Sequence, residues 1–283
     1  MVFKPRVSGA KLYHHIYAWG NDRHPIFKRD FHYTRYVKLL RKYAEFFGIK
    51  VIAYALMKWH VHLFIHDVND TVSDFVMNLH GDYARFYNRT TKRVGHVFGE
   101  RFNNRIVQPN NYGLWLSRYI HRQAVEAGLV KDPAEYVWTS YRIYIGLEKN
   151  EFLKPAIILS QFGDGEEAYQ HYKNFVLARD DGPIDWKGVK QRIIGDDDFI
   201  KEVVNEHDFE LDNETTKPTL EEVVNKIFGL DMDLLLRPKG KQERLMRHKV
   251  ITVLGIEHKF TKSEIARAFD MSVPAVSKVL NKS

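Results

Sequence analysis

Apolar positions along the first half of the chain alternate between the two-residue period of strands and the three-to-four-residue period of helices. Glycines follow two of the helical segments, at Gly48 and Gly128, where a helix is expected to end. Two β-rich runs are separated only by Lys58 and Trp59, which indicates a hairpin. The pattern predicts strands over 11–20, 49–57 and 60–68, and helices over 29–48, 71–90 (capped by Thr71 or Ser73) and 111–128.

This order of elements predicts three regions in the chain. Residues 1–150 form an α+β domain, whose antiparallel sheet carries helices on one face. Residues 151–217 form a helical connector and an acidic linker, because residues 180–214 hold twelve Asp or Glu against four Lys or Arg. Residues 218–283 form a second, all-α domain that begins near a proline.

The end of the chain has the spacing of a helix-turn-helix. Ser263–Phe269 is the expected first helix, and Ser272 can cap a second helix whose Val276 packs inward. Pro274 is tolerated there because it falls in the first turn. The alternative is an ordinary helical hairpin. If the motif binds duplex DNA, the candidate contacts are Lys241, Arg244, Ser277 and Lys278.

Composition narrows the functional classes. The chain has 283 residues and no cysteine, which excludes disulfides, thiolate catalysis and cysteine-type zinc sites. No apolar run reaches the roughly 20 residues of a membrane span, and the basic N-terminus lacks the apolar core of a secretory signal. We therefore expect a cytoplasmic protein with no membrane partner. A net charge of +7 with 13% aromatic residues favours an anionic partner, with nucleic acid the leading candidate.

Residues 85–105 concentrate this charge. Phe86, Tyr87, Phe98 and Phe102 lie among the cations of the segment, whose single acid is Glu100. Cations for phosphates beside rings for bases are typical of a groove that binds single-stranded DNA. A solvated loop after a helix is the alternative interpretation. The candidate DNA contacts are Arg85, Arg89, Lys92, Arg93, Arg101 and Arg105.

Two histidines stand one residue apart in the predicted strand at 60–68. Residues two apart in a strand share a face, so Val61 and Leu63 are expected in the core while His60 and His62 share the other, exposed face. Two imidazoles on one face can bind one divalent cation through a nitrogen each. The alternative is a pair of partly exposed strand histidines without a ligand.

A metal site needs a third group from a neighbouring element. Tyr119 and Gln123 are four residues apart in the predicted third helix and therefore on one face of it. Gln123 could complete a His-His-Gln site, for which Mg²⁺ or Mn²⁺ is the natural ion because the substrate supplies further oxygens. Tyr119 would then face the same phosphate and act as a nucleophile. The chain has 15 tyrosines, so helical phase alone identifies this one weakly.

Several motifs in this order resemble the HUH single-tyrosine transposases, and in particular the REP-associated tyrosine transposase group. They are HVH (60–62), RVGHVFGERF (93–102), RYIHRQAVEAGLV (118–130) and YVWTSYRIYIG (136–146), and the resemblance covers about residues 8–147. It implies a ferredoxin-like catalytic core and metal-dependent cleavage of single-stranded or hairpin DNA through a covalent 5′-phosphotyrosine. The matching positions are His60 and His62 for the metal, Tyr119 as nucleophile and Gln123 as third ligand. Arg118 is a further candidate DNA contact. Members occur as monomers and as homodimers, and the sequence leaves both states open.

The segment 218–283 resembles the C-terminal DNA-binding domain of the replication initiator DnaA, which implies binding of duplex DNA. The sequence thus predicts a two-domain DNA strand transferase or nickase. The alternative function is a domesticated DNA-binding regulator that keeps the fold without cleavage.

Overall fold

A computed structural model describes residues 8–99, 101–178, 184, 186, 191–207, 209, 220, 224, 235–236, 238, 240–256, 260 and 262–280. The chain divides into two compact units, Met1–Phe209 and Glu210–Ser283. Most of the predicted acidic linker and of the segment 219–236 lies outside the described residues.

The first unit is built on one mixed sheet of the order β2-β3-β1-β4-β5. The first four strands are antiparallel and follow the order β1-α1-β2-β3-α2-β4, which is the ferredoxin-like arrangement and confirms the α+β prediction. The fifth strand pairs with β4 in parallel. The sheet is therefore mixed, whereas the sequence predicted an antiparallel one. The strands are β1 Leu12–Trp19, β2 Ile49–Met57, β3 His60–Asp67, β4 Asn103–Val107 and β5 Ile193–Ile194.

Helices fill the connections between the strands and continue after β4. In the first unit they are α1 Asp30–Phe47, α2 Val72–Thr91, α3 Asn111–Glu126, α4 Tyr141–Tyr144, α5 Ala156–Leu159, α6 Gly165–Leu177 and α7 Asp197–His207. Short 3₁₀ turns lie at Asn21–Arg23, Pro133–Glu135 and Ser160–Phe162. In the second unit the described helices are α8 Lys241–Ile256, α9 Lys262–Ala268 and α10 Val273–Leu280.

The ends of the first two helices have clear causes. Gly48 follows α1 with a φ of 71°, a left-handed conformation that glycine adopts without steric cost, as predicted. Thr71 occupies the N-cap position of α2, one of the two predicted, but its side chain accepts no backbone hydrogen bond. The carboxylate of Asp67, buried at the end of β3, accepts from the backbone N–H of Thr71 and of Val72, each at 2.7 Å. An ionised acceptor suits the positive end of a helix dipole.

The sheet is covered on both faces, not on one as predicted. Helices α1 and α2 pack on the face that carries Ile16, Val61 and Leu63. Helix α3 packs on the opposite face, against Phe64 of β3, together with residues from α4, α5 and α6.

The second core changes the predicted domain boundary at residue 150. The segment beyond it supplies Ile158, Tyr172, Val176, Trp186 and Ile194 to the core under α3. Residues 151–207 are therefore part of the first unit and not a connector. A helical period alone does not indicate which core a segment joins.

The described part of the second unit has the expected helical arrangement at its end. Helix α10 follows α9 after a short turn, and the Ser272 hydroxyl accepts from the backbone N–H of Ala275 at 3.4 Å. Val276 is fully buried with Phe269 and Val250, as the spacing predicted. None of the helices in the described ranges is long and apolar enough to span a membrane.

Candidate functional site

The two strand histidines lie on the face of the sheet that α3 covers. His60 pairs with Trp19 of β1 and His62 pairs with Tyr17, so all four side chains share that face. Val61 and Leu63 are fully buried on the other face, as predicted. The histidine face is less exposed than predicted, since His62 is only 4% exposed beneath α3 and His60 is half-buried.

The four predicted site residues meet at one place. Nε2 of His60 lies 3.4 Å from Oε1 of Gln123, whose amide N–H donates to the carbonyl of Tyr119 at 3.3 Å. The ring of Tyr119 stands edge-on to His62 at a centroid distance of 5.5 Å. The phenol, both imidazoles and the amide line one open pocket of about 380 Å³. Helical phase and strand alternation therefore identified groups that the fold brings together.

The opposite side of α3 fixes the position of Tyr119. His121, fully buried, is bonded through Nδ1 to the Tyr172 hydroxyl at 2.6 Å and through Nε2 to the Ser140 hydroxyl at 2.7 Å. Both nitrogens of this ring are thus used to hold the helix against its neighbours. Because the helix is anchored on the far side, the Tyr119 phenol is held over the histidines.

Two arginines of α3 strengthen this anchor. Arg118 donates from Nε to the carbonyl of Phe175 at 2.9 Å and from a terminal N–H to that of Ala178 at 2.5 Å. Arg122 donates to the carbonyl of Val176 at 2.8 Å. These carbonyls lie in the last turn of α6 and on the residue just after it, so the cations complement the negative end of the helix dipole. Arg118 is only 6% exposed, which corrects its prediction as a DNA contact.

A third histidine supports the pair from β1. Nε2 of His15 lies 3.0 Å from Nδ1 of His62, and the ring of His15 is buried. This bond occupies Nδ1 of His62 and leaves Nε2 as the nitrogen for a ligand. Sequence reasoning missed His15, although the alternation of β1 puts it on the face of Tyr17. The register that sets it beside His62 is not readable from one strand.

Burial keeps these imidazoles neutral. It lowers the pKa of His62 well below the ordinary value of 6.5, and the neighbouring His15, His60 and Arg105 lower it further. Burial also lowers the pKa of His60, against a smaller opposing effect of Gln123, and lowers that of His15 to about 3. A neutral imidazole is the form that binds a metal.

The protein supplies only some of the ligands that a hard divalent cation needs. Two imidazole nitrogens and one amide oxygen converge, while Nδ1 of His60 is buried without a hydrogen-bond partner. Within the described ranges no group of three His, Cys, Asp or Glu could hold a metal ion. Glu126 lines the pocket one turn beyond Gln123 and adds a carboxylate to its wall. Such a set suits an ion that keeps open positions for water and phosphate.

The far wall of the pocket is aromatic and cationic. The ring of Trp186 is stacked near Tyr119 at 6.1 Å between centroids, and Arg105 lies 4.8 Å from the ring centre of Tyr17. Trp186 comes from the segment interpreted as a linker, so no pattern in the sequence singles it out. Arg105 was a predicted DNA contact, and the fold places it in the pocket beside His62 and Tyr119.

The other predicted DNA contacts of the first unit are outside the pocket lining, and the rest belong to the second unit. Arg85 and Arg89 are exposed on the last turns of α2, where Arg85 forms an ion pair with Asp82. Ser277 accepts from the ammonium of Lys262 at 3.0 Å. The remaining candidates lie as follows: Lys92, Arg101, Arg244 and Lys278 are exposed, Arg93 donates to the carbonyl of His96, and Lys241 begins α8.

The chain was compared with curated proteins, solved structures and protein families. No curated protein matches the chain. The structure of a REP-associated tyrosine transposase bound to a REP hairpin is 11% identical at a TM-score of 0.45, with 54% of this chain and 98% of that chain covered. A putative transposase from Deinococcus radiodurans is 22% identical at 0.31, with 43% and 98% covered. Residues 8–123, which include all four candidate site residues, match the family described as Transposase IS200 like.

Proposed function

We propose that the chain cuts and rejoins single-stranded DNA by metal-dependent transesterification, with Tyr119 as the nucleophile. The observation that carries the proposal is the convergence of a tyrosine, two neutral histidines and a glutamine in one pocket of the segment that matches the transposase family. His60, His62 and Gln123 would hold Mg²⁺ or Mn²⁺. The bound ion would supply Lewis-acid polarisation of a phosphoryl oxygen.

The reaction conserves the number of phosphodiester bonds. The Tyr119 oxygen attacks phosphorus and loses its proton, the bond from phosphorus to the 3′ oxygen breaks, and that oxygen gains a proton. The products are a 5′-phosphotyrosine and a free 3′-hydroxyl. Because one ester replaces another and no water is consumed, a DNA 3′-hydroxyl can reverse the step and rejoin a strand.

The surroundings supply orientation and charge. The anchored helix α3 holds the phenol, which reduces the entropy lost on reaching the attack geometry. Arg105 lines the pocket and offers a guanidinium to the anionic phosphate.

We also propose that the second unit holds duplex DNA through its helix-turn-helix, with the exposed Arg244 and Lys278 as contacts. Lys278 lies in α10, the second helix of the motif, which is the one that enters the major groove in such motifs. A Lys278→Glu variant is expected to bind duplex DNA more weakly. The binding constant of the variant is also expected to depend less steeply on salt concentration. An unchanged salt dependence would exclude this contact.

Covalent trapping tests the cleavage. The purified chain is incubated with Mn²⁺ or Mg²⁺ and a pool of labelled hairpin oligonucleotides, and adducts are resolved under denaturing conditions. We expect a labelled protein band that requires the ion and is absent in Tyr119→Phe and His62→Ala.

The matched control is Tyr112→Phe, which removes a half-buried phenol from the first turn of the same helix. It is expected to keep the adduct. An adduct that persists in Tyr119→Phe would assign the nucleophile elsewhere. DNA binding without adduct, with either ion and across the pool, would favour the domesticated regulator.

A further inference from the structure

Trp19 is unusually exposed for a large ring beside a buried site. It ends β1, is 53% exposed, and lines the same pocket as Tyr119. Its ring centroid lies 4.2 Å from that of His60, at an interplanar angle of 35°. A single exposed ring is ordinary on a protein surface, but this one lines the candidate site.

The other rings in the same row of β1 already have partners. Alternation puts Tyr13, His15 and Tyr17 on the face of Trp19. Tyr13 is stacked on His66 at 4.2 Å with the ring planes 4° apart, and His15 is bonded to His62. Tyr17 lies under the guanidinium of Arg105. The row therefore ends, at the pocket mouth, in a ring with an accessible face.

Basic residues lie in the two loops that meet the end of β1 at Trp19 and Gly20. The loop after α2 returns to β1, where the N–H of Gly99 donates to the carbonyl of Trp19 at 3.0 Å. That loop joins the basic residues at the end of α2 to Arg101, which is exposed. On the other side, the ammonium of Lys58 lies 4.7 Å from the ring centre of Trp59. An exposed ring beside loops with basic residues is complementary to a base attached to a phosphate backbone.

We infer that the indole of Trp19 is the stacking platform for the unpaired base next to the phosphate held at His60 and Tyr119. This inference rests on the proposed function. The ring adjoins His60, so a nucleotide whose phosphate lies at the histidines has its base within reach of Trp19. Aromatic rings on a sheet surface bind successive bases of single strands in this way. A stacking contact tolerates any base, because each base has a π face.

Binding to two matched strands tests the inference in a Tyr119→Phe background, where no bond is cut. The probes are labelled oligothymidylate and an abasic deoxyribose-phosphate strand of equal length and charge. We expect Trp19→Ala to weaken oligothymidylate binding about 5- to 150-fold, as loss of one stacked base does, and to leave abasic binding unchanged. Trp19→Phe is expected to restore part of the loss.

The control is Phe46→Ala, which removes an exposed ring (77%) from α1 on the other side of the sheet and is expected to change neither affinity. Equal weakening of both strands by Trp19→Ala would overturn the inference, since no base would be involved. Unchanged binding of oligothymidylate would also overturn it. The unaltered chain can form the covalent adduct while Trp19→Ala leaves oligothymidylate binding unchanged. That result would retain the proposed function and reject only the stacking role. Binding that depends on the bases and on Trp19, without any adduct, would retain the stacking role and reject the proposed cleavage.

Discussion

Acid should destabilise the first unit through histidines that are buried outside the pocket. His14 and His121 are fully buried. Burial lowers the pKa of His14 to about 4, against smaller opposing effects of Asn104 and Asp67, and lowers that of His121 to about 3. The perturbation is a decrease in pH from 7.5 to 5 in the absence of metal.

The sign follows from where the protons bind. In the unfolded chain these imidazoles have the ordinary pKa of 6.5, so the unfolded state takes up protons that the folded state refuses. Their contribution to stability is complete above pH 6.5 and is lost as the pH falls from 6.5 towards the folded values. At pH 5 the loss is about 2 kcal/mol for each histidine, and about 4 kcal/mol for the two. That is a large part of the 5–15 kcal/mol that stabilises a typical domain.

Urea unfolding at a series of pH values measures this loss. The five tryptophans, Trp19, Trp59, Trp115, Trp138 and Trp186, all belong to the first unit, so their fluorescence reports its unfolding. Replacing His121 by glutamine removes one titrating group. The variant is therefore expected to be less stable at pH 7.5, yet to lose about 1.2 kcal/mol less than the unaltered chain between pH 6 and pH 5.

His171→Gln is the matched control for the chemical change, since His171 is exposed on α6. A pH slope in His121→Gln equal to that of the unaltered chain would refute the reasoning, because a group that stays neutral in the fold must contribute one proton to that slope. A slope lowered equally by His171→Gln would show that burial is not the cause.

Three further outcomes follow from contacts of the first unit. His15→Phe is expected to weaken Mn²⁺ binding about 10- to 100-fold by calorimetry, with partial recovery in His15→Gln, because His62 loses the partner of its Nδ1; equal affinity in all three chains would contradict this. Arg118→Ala should lower the free energy of unfolding by about 2–3 kcal/mol and leave the salt dependence of DNA binding unchanged, because its N–H groups bond to α6; a reduced salt dependence would return it to the DNA contacts. Asp67→Ala should cost about 2 kcal/mol in urea unfolding, since buried N–H groups at the start of α2 lose their acceptor; a loss near zero would mean that water replaces the carboxylate.

The sequence was sufficient where the signal is local. Helix α1 shows its apolar stripe and its final glycine within 20 residues, and the structure follows both. The hairpin of β2 and β3 is likewise contained in one run, so the faces of His60 and His62 could be assigned by counting. Tyr119 and Gln123 needed only the period of one helix.

The sequence failed where the outcome depends on distant partners. Strand β4 has exposed and polar positions, and β5 has two residues in an acidic stretch, so neither has a period to detect. Strand β4 is paired by β1, and β5 is paired in turn by β4. Arg118 is basic and next to Tyr119 in the sequence, which led to its prediction as a DNA contact. In the structure its guanidinium donates to a backbone carbonyl near the end of α6. His15 and Trp186 join the site through sheet register and long-range packing, which one sequence does not reveal.

The anchoring of α3 on α6 has a consequence for where this chain can be divided. The match to the transposase family ends at Gln123, whereas the acceptors that hold Arg118 and Arg122 come from the C-terminal end of α6 and the residue just after it. A fragment cut at the family boundary would retain every residue named for the chemistry and lose the scaffold that aims Tyr119. The smallest piece of this chain that keeps α3 anchored therefore extends at least through Ala178, 55 residues beyond Gln123.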